Sequence, residues 1–415
     1  MCNNVTMLER WLEPLIEDAA LDPKMRFIAG PRQCGKTTLA GEVLARHDSG
    51  DFLFNWDVPE TRRRYREDSL FYRSLIRGVR KPWICFDEIH KQRTWKDILK
   101  GIYDIDGQRL RILVTGSARL ELFRRAGDSL AGRFFLFRLS PVLLGELLGL
   151  GAPSVPAVDP RDWIEERLHS RDGASNSSKT VRDGFEQLFR YGPFPEPLLK
   201  ARARFQSLWR RNYLDAVVRG DLRDLTRLRD LGLVEELIDL IPHRVGSPFS
   251  LNSVREDLEV AYATVKGMME HLERLLVIFA LTPYAKRVTR PVKRERKVYL
   301  YEWSGVEEQG ARFENLVALE LLGRTQLWTE SGSDEWSLQY VRTRDKKETD
   351  FLLMRRRKPW CLVECKLRKA GIESHHRLFA RKLGGIPIVQ LVKEHEVLVA
   401  KDRDIVTVSA SSFLA

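Results

Sequence analysis

Met25-Arg26-Phe27-Ile28-Ala29-Gly30-Pro31-Arg32-Gln33-Cys34-Gly35-Lys36-Thr37-Thr38 joins an apolar run to a glycine-bounded turn. Its first five residues form a short apolar run, the length and composition of a buried strand. Gly30 to Thr37 then satisfies G-x-x-x-x-G-K-[ST], and TTLAGEVLARH continues as a helical pattern. Strand, glycine-rich turn and helix in that order are the setting that a phosphate-cradling loop requires. Gly35 lets the backbone wrap closely, and the N–H groups of Gly30 to Thr38 face an anion at a helix N-terminus. Lys36 is expected on the β- and γ-phosphates of a nucleoside triphosphate, and the Thr37 hydroxyl on Mg²⁺.

Working outward, DFLFNWD (51–57), WICFDEI (83–89), RILVTGSA (111–118) and FFLFRL (134–139) read as four more strands. Helical patterns such as WKDILKGIYD (95–104) separate most of them. Strands alternating with helices predict a parallel sheet covered on both faces, an α/β fold. A helix is predicted over 8–20.

Phe86-Asp87-Glu88 closes the third strand. Asp87 is expected to hold Mg²⁺, and Glu88 to polarise the attacking water as general base. Thr115-Gly116-Ser117 closes the fourth, where a hydroxyl can sense the γ-phosphate, Ser117 as first choice and Thr115 as second. Arg133, before the fifth strand, is a candidate arginine finger acting on a neighbouring copy. A surface salt bridge is the competing reading.

The chain has 415 residues, 43% hydrophobic and 31% charged, which is globular and long enough for two or three domains. A net charge of +12 favours a polyanionic partner, nucleic acid first. The five cysteines form no C-x-x-C pair, so neither a disulfide framework nor a zinc site is expected. The acidic N-terminus is unlike a secretory leader. The run Leu139–Val158 carries Glu146, three prolines and three glycines, which excludes a spanning helix. A cytoplasmic protein away from membranes is the expectation.

GPRQCGKTT, ICFDEIHK followed by WKDILKGIYD, LVTGSARL and LAGRFFLFRLSPVLLGEL together resemble a family of prokaryotic ATPases of the AAA+ class. Its members carry a C-terminal domain of unknown function that resembles PD-(D/E)XK nucleases. Cys34 replaces the valine usual in that loop, and Val142-Leu143-Leu144 stands where Leu-Ser-Phe is common; both are packing changes. The resemblance implies a parallel five-stranded P-loop core, then a helical and winged-helix region, then a restriction-endonuclease-like α/β domain. The expected division is 1–150 for the ATPase domain, 151–180 for a Pro/Gly/Ser-rich linker, 181–285 for the helical region and 286–415 for the terminal domain.

In the middle, Leu251–Leu258, a turn at Glu259-Val260-Ala261 and Tyr262–Leu275 have helix-turn-helix spacing. Val254, Leu258, Val265, Met269 and Leu272 are its expected core. Its second helix offers Lys266 but also Glu270 and Glu273, poor for reading bases, so a lid or packing role is favoured. The tract Ala285–Lys297 holds seven basic residues and one acidic residue. Phosphate contact and a solvated loop are equally open readings.

Strands return with KVYLYEW, SLQYVRT, TDFLLMR, WCLVECK and IPIVQLV. Residues i and i+2 of a strand share a face, so Glu364 and Lys366 point together, and Asp350 on the paired strand can meet them. Glu314 on the preceding helix can complete a Mg²⁺ site of nuclease type. The reading that results is a Mg²⁺-dependent ATPase that couples hydrolysis to binding or remodelling nucleic acid, DNA before RNA. It forms a homo-oligomeric ring if Arg133 acts in trans. The alternatives are a nucleotide-controlled interaction switch with a noncatalytic terminal domain, and an ATP-gated nuclease.

Overall fold

A computed structural model describes residues 8–116, 130–169, 178–222, 231–285 and 295–415. The chain divides into two compact units, one of Glu9–Pro141 with Arg274–Leu276, the other of the remaining residues.

The N-terminal unit is built on β1 (Met25–Ala29), β2 (Leu53–Asn55), β3 (Trp83–Asp87), β4 (Arg111–Gly116) and β5 (Phe134–Arg138). All pair in parallel, in the order β2-β3-β4-β1-β5. β1 and β3 are buried at every position, as continuous apolar runs covered on both faces must be. β5 is one of the two edge strands, and it leaves Phe135 43% exposed. The helix Trp95–Asp106 buries Trp95, Ile98, Leu99 and Ile102, spaced three and four residues apart along one face. The helix predicted over 8–20 is shorter, Glu13–Glu17, with Pro14 in its first turn. Proline has no N–H to donate to the turn before it and restricts the residue that precedes it.

Arg26 breaks the apolar run of β1 yet is fully buried. Its guanidinium donates to Asp22 at 2.7 Å, and Lys81 and Arg111 also reach that carboxylate. Burial alone would raise the Asp22 carboxyl, but these three cations outweigh it and hold it down at about 2.

The second unit begins with helices. Within the span read as a linker, Pro160–His169 is helical, and its Trp163 packs edge-on against Phe413 at 5.1 Å. Helices follow at Ser178–Tyr191, Pro195–Lys200, Ala203–Asp215 and Leu231–Leu240. Leu251–Asp257 and Tyr262–Arg274 form the expected helical pair, turned at Glu259 with φ 53°. The five expected core residues are all buried. The pair is backed by a small antiparallel sheet of β6 (Pro248–Phe249), β7 (Ile278–Leu281) and β8 (Arg296–Leu300), ordered β6-β8-β7, the winged-helix arrangement.

The terminal sheet has six strands. The 22-residue helix Gln309–Glu330, capped by Glu308, leads into β9 (Trp336–Arg342), β10 (Glu348–Arg355) and β11 (Lys358–Lys366), an antiparallel meander. The β10–β11 turn is only Arg356-Arg357, both with positive φ, the twist-matched two-residue hairpin. Lys358 and Pro359 therefore belong to β11 rather than to the turn, and Pro359 lies beside a register irregularity where its missing N–H is tolerated. The helix Ser374–Lys382 crosses to β12 (Ile388–Val392), which pairs parallel with β11. β13 (Leu398–Asp402) and β14 (Ile405–Ser409) complete it. One core gathers Leu352, Met354, Leu362, Phe379 and Ile388. Each large apolar side chain so buried contributes about 1.5–3 kcal/mol. Among the described residues no helix is long and apolar enough to cross a membrane.

Candidate nucleotide site

β1 ends at Ala29, and the loop Gly30–Gly35 leaves the carboxyl edge of the sheet, where open parallel sheets bind ligands. Gly30 has no room for a side chain: a Cβ there would lie 2.4 Å from the Leu139 carbonyl oxygen. Gly35 has φ 102° and Gln33 φ 62°, so the loop turns through left-handed backbone before Lys36 starts the helix Lys36–Arg46. Cys34 is buried, its thiol 3.6 Å from the Leu139 oxygen, so it packs the loop from beneath. Lys36 is 7% exposed and donates to the carbonyls of Gly30 and Pro31 at 3.0 and 2.7 Å. Its ammonium is thus held within the concavity of the loop. Thr37 and Thr38 open the helix and are exposed.

Asp87 closes β3, is 1% exposed, and collects donors from three elements. Thr37 Oγ1 lies 3.1 Å from both carboxylate oxygens. Thr115 Oγ1, its register partner on β4, donates to Oδ1. Asn55 Nδ2, its register partner on β2, donates to Oδ2 at 2.8 Å. Glu88 follows in left-handed backbone (φ 55°), its N–H on the Thr115 carbonyl at 3.0 Å. Its carboxylate lies 3.5 Å from Lys91 and 3.6 Å from His90. Burial pushes its carboxyl above the usual range, against the pull of the Lys91 and Lys36 cations.

The residues present fit both nucleotide and metal. The loop is a cradle that a Cβ at Gly30 would fill, and a Thr hydroxyl and an Asp carboxylate converge as the hard oxygen donors Mg²⁺ prefers. Sequence reading missed Asn55, whose only signal is an amide ending a short apolar strand. The Asp87 carboxylate is aimed by Asn55, so Asn55→Leu is expected to lower ATP turnover about 10–100-fold with little change in metal-free nucleotide affinity. Turnover across a Mg²⁺ titration measures it.

Ser117 lies outside the described residues. Thr115, the second choice, is in contact with Asp87. Arg133 precedes β5 at the amino edge of the sheet, opposite the loop, and pairs with Asp104 at 2.9 Å.

The second cluster lies in the other unit. Lys366 Nζ is 2.8 Å from Glu364, as their shared face predicts, and the Asp350 N–H reaches Glu364 at 3.3 Å. Asp350 Oδ2 accepts from the Cys365 N–H at 2.9 Å. Burial, then the Asp350 charge, pushes the Glu364 and Glu314 carboxyls well above the usual range. Of the basic tract, residues 286–294 lie outside the described residues. Arg296 pairs with Glu273 at 2.7 Å. Lys297 is fully buried and paired with Glu314, Glu348 and Asp350, so neither of these two cations adds to a phosphate-contacting field.

Comparison with known proteins matches three segments of the chain. Residues 22–148 match an AAA domain, 182–304 a domain of unknown function (DUF8612) and 309–410 another (DUF4143). The chain is 26% identical over 295 residues to the uncharacterized protein Rv2008c of Mycobacterium tuberculosis, covering 71% of this chain and 57% of that one. It thus spans little more than half the length of that relative. It is 21% identical over 381 residues to the uncharacterized protein MJ1544 of Methanocaldococcus jannaschii, covering 89% and 80%. Among solved structures, the ORC1 protein of Aeropyrum pernix in complex with DNA is similar at 16% identity and a TM-score of 0.28, covering 74% of this chain and 89% of that chain. Cdc6p of Pyrobaculum aerophilum is similar at 12% and 0.27, covering 78% and 95%. With its AAA-domain match and a phosphate loop at the carboxyl edge of a five-stranded parallel sheet, the N-terminal unit has the P-loop AAA+ fold.

Proposed function

We propose that the chain binds ATP with Mg²⁺ at Gly30–Thr38 and hydrolyses it, and that hydrolysis is coupled to handling of nucleic acid, DNA in preference to RNA. The observation that carries the first part is the convergence of Thr37, Thr115 and Asn55 on Asp87 beside the Gly30–Gly35 loop. A bound Mg²⁺ would supply neutralisation of the phosphate charge. Lys36 and the loop N–H groups grip the β- and γ-phosphates. Asp87 and Thr37 would hold the metal. Glu88, desolvated and hence a stronger base when ionised, takes the proton of the attacking water.

The coupling to DNA is supported by the net charge of +12 and the basic sequence between β7 and β8. Assembly through Arg133 belongs to the same proposal and requires that guanidinium to leave Asp104. The free state of Cys34, Cys85, Cys361 and Cys365 suits a reducing cytoplasm. ATP turnover is expected to rise several-fold with duplex, branched or single-stranded DNA at low salt, less with RNA, and to fall back at high salt. Turnover indifferent to every nucleic acid at both salt concentrations contradicts the coupling and leaves the nucleotide-controlled switch. A third reading, an ATP-gated Mg²⁺ nuclease, draws on the adjacency of Asp350, Glu364 and Lys366. It requires strand cleavage that disappears in Asp350→Ala and Lys366→Ala.

A further inference from the structure

The carboxylates that a metal nuclease would use already hold a cation, and it is part of the chain. Lys297 Nζ lies 2.8 Å from Glu314, 2.5 Å from Glu348 and 3.3 Å from Asp350. The lysine is completely buried, and it comes from β8, a strand of the winged-helix sheet, not of the sheet that carries Glu348 and Asp350. Tyr299, two residues on and on the same face of β8, donates to Glu314 at 2.7 Å.

The remaining ligand positions are also engaged. Asp350 Oδ2 takes the Cys365 N–H, Glu364 Oε1 the Lys366 ammonium and Glu364 Oε2 the Asp350 N–H. Gly246 closes over Glu314: a Cβ there would sit 2.8 Å from its carboxylate. The residues present therefore do not fit a divalent ion.

We propose that Lys297 is the resident cation of this cluster, clasping the winged-helix sheet to the terminal sheet and excluding the divalent metal that cleavage would need. The terminal domain then serves as a binding or assembly module. This inference is independent of the ATPase reading, because it concerns a different site and is read without nucleotide.

The test compares thermal unfolding of the full chain in EDTA and in millimolar Mn²⁺, with no nucleotide, on an Asp87→Ala background that silences the N-terminal metal ligand. Removing one partner from a buried ion cluster leaves uncompensated charge, so Lys297→Ala should lower the unfolding midpoint by roughly 10 °C in EDTA. Mn²⁺ should restore most of that loss, while the chain with Lys297 intact is blind to the metal. Should Lys297→Ala not fold under either condition, Lys297→Ala with Asp350→Asn removes a negative charge along with the cation. That pair must recover stability without responding to Mn²⁺. The proposal is overturned if Lys297→Ala is as stable as its parent in EDTA, or if the double variant is no more stable than the single. It is likewise overturned if the chain with Lys297 intact is stabilised by Mn²⁺ in a manner abolished by Asp350→Asn.

Discussion

A Glu88→Gln chain binds ATP·Mg²⁺ as tightly as the unaltered chain and hydrolyses it about 10²–10⁴-fold more slowly, the range of a lost general base. Glutamine keeps the size of the side chain and its place in the left-handed turn after β3, so neither the fold nor the Asp87 cluster is disturbed. What it removes is the proton acceptor. The raised carboxyl of Glu88, a consequence of burial, makes the ionised form more basic than an exposed glutamate. Single-turnover hydrolysis beside equilibrium binding separates the two effects. Unchanged hydrolysis would move the base elsewhere.

Lys36→Ala removes both grip and turnover. Its ammonium lies inside the concavity of the loop, held against the Gly30 and Pro31 carbonyls. Its absence leaves the β- and γ-phosphates to backbone N–H groups alone. Loss of one positioned donor to developing charge costs about 10²–10³ in rate, and a charged donor belongs at the upper end. ATP turnover should fall to background while the unfolding midpoint without nucleotide stays close to the parent's. Undiminished turnover refutes the site assignment.

The geometry of the candidate nucleotide site was legible because its determinants are local. Gly30 and Gly35 are demanded by a close approach and a positive φ inside one eight-residue loop, and Asp87 and Glu88 follow an unbroken apolar strand. Asn55 was not legible, because an amide ending a three-residue strand looks like any strand terminator until the register sets it beside Asp87. Lys297 was misleading for a related reason. It closes a basic tract, and charge runs read as solvated or phosphate-facing, yet the alternation of β8 turns it inward with Tyr299. Its partners lie 17 residues away on a helix and some 50 away on β10, at separations where periodicity says nothing. The pairing of Glu364 with Lys366 needed only the two-residue repeat of a strand and was read correctly. The hairpin of β13 and β14 was missed, as were the two-residue β6 and the four-residue β7, and the last two are too short to show the repeat that periodicity needs.

The central claim is that Gly30–Thr38, with Asp87, grips a triphosphate and its metal. Equilibrium titration of the purified chain with ATP, with and without Mg²⁺, addresses it directly. The account predicts saturable binding strengthened by Mg²⁺ and lost in Lys36→Ala. A chain that takes up no nucleoside triphosphate under either condition contradicts it.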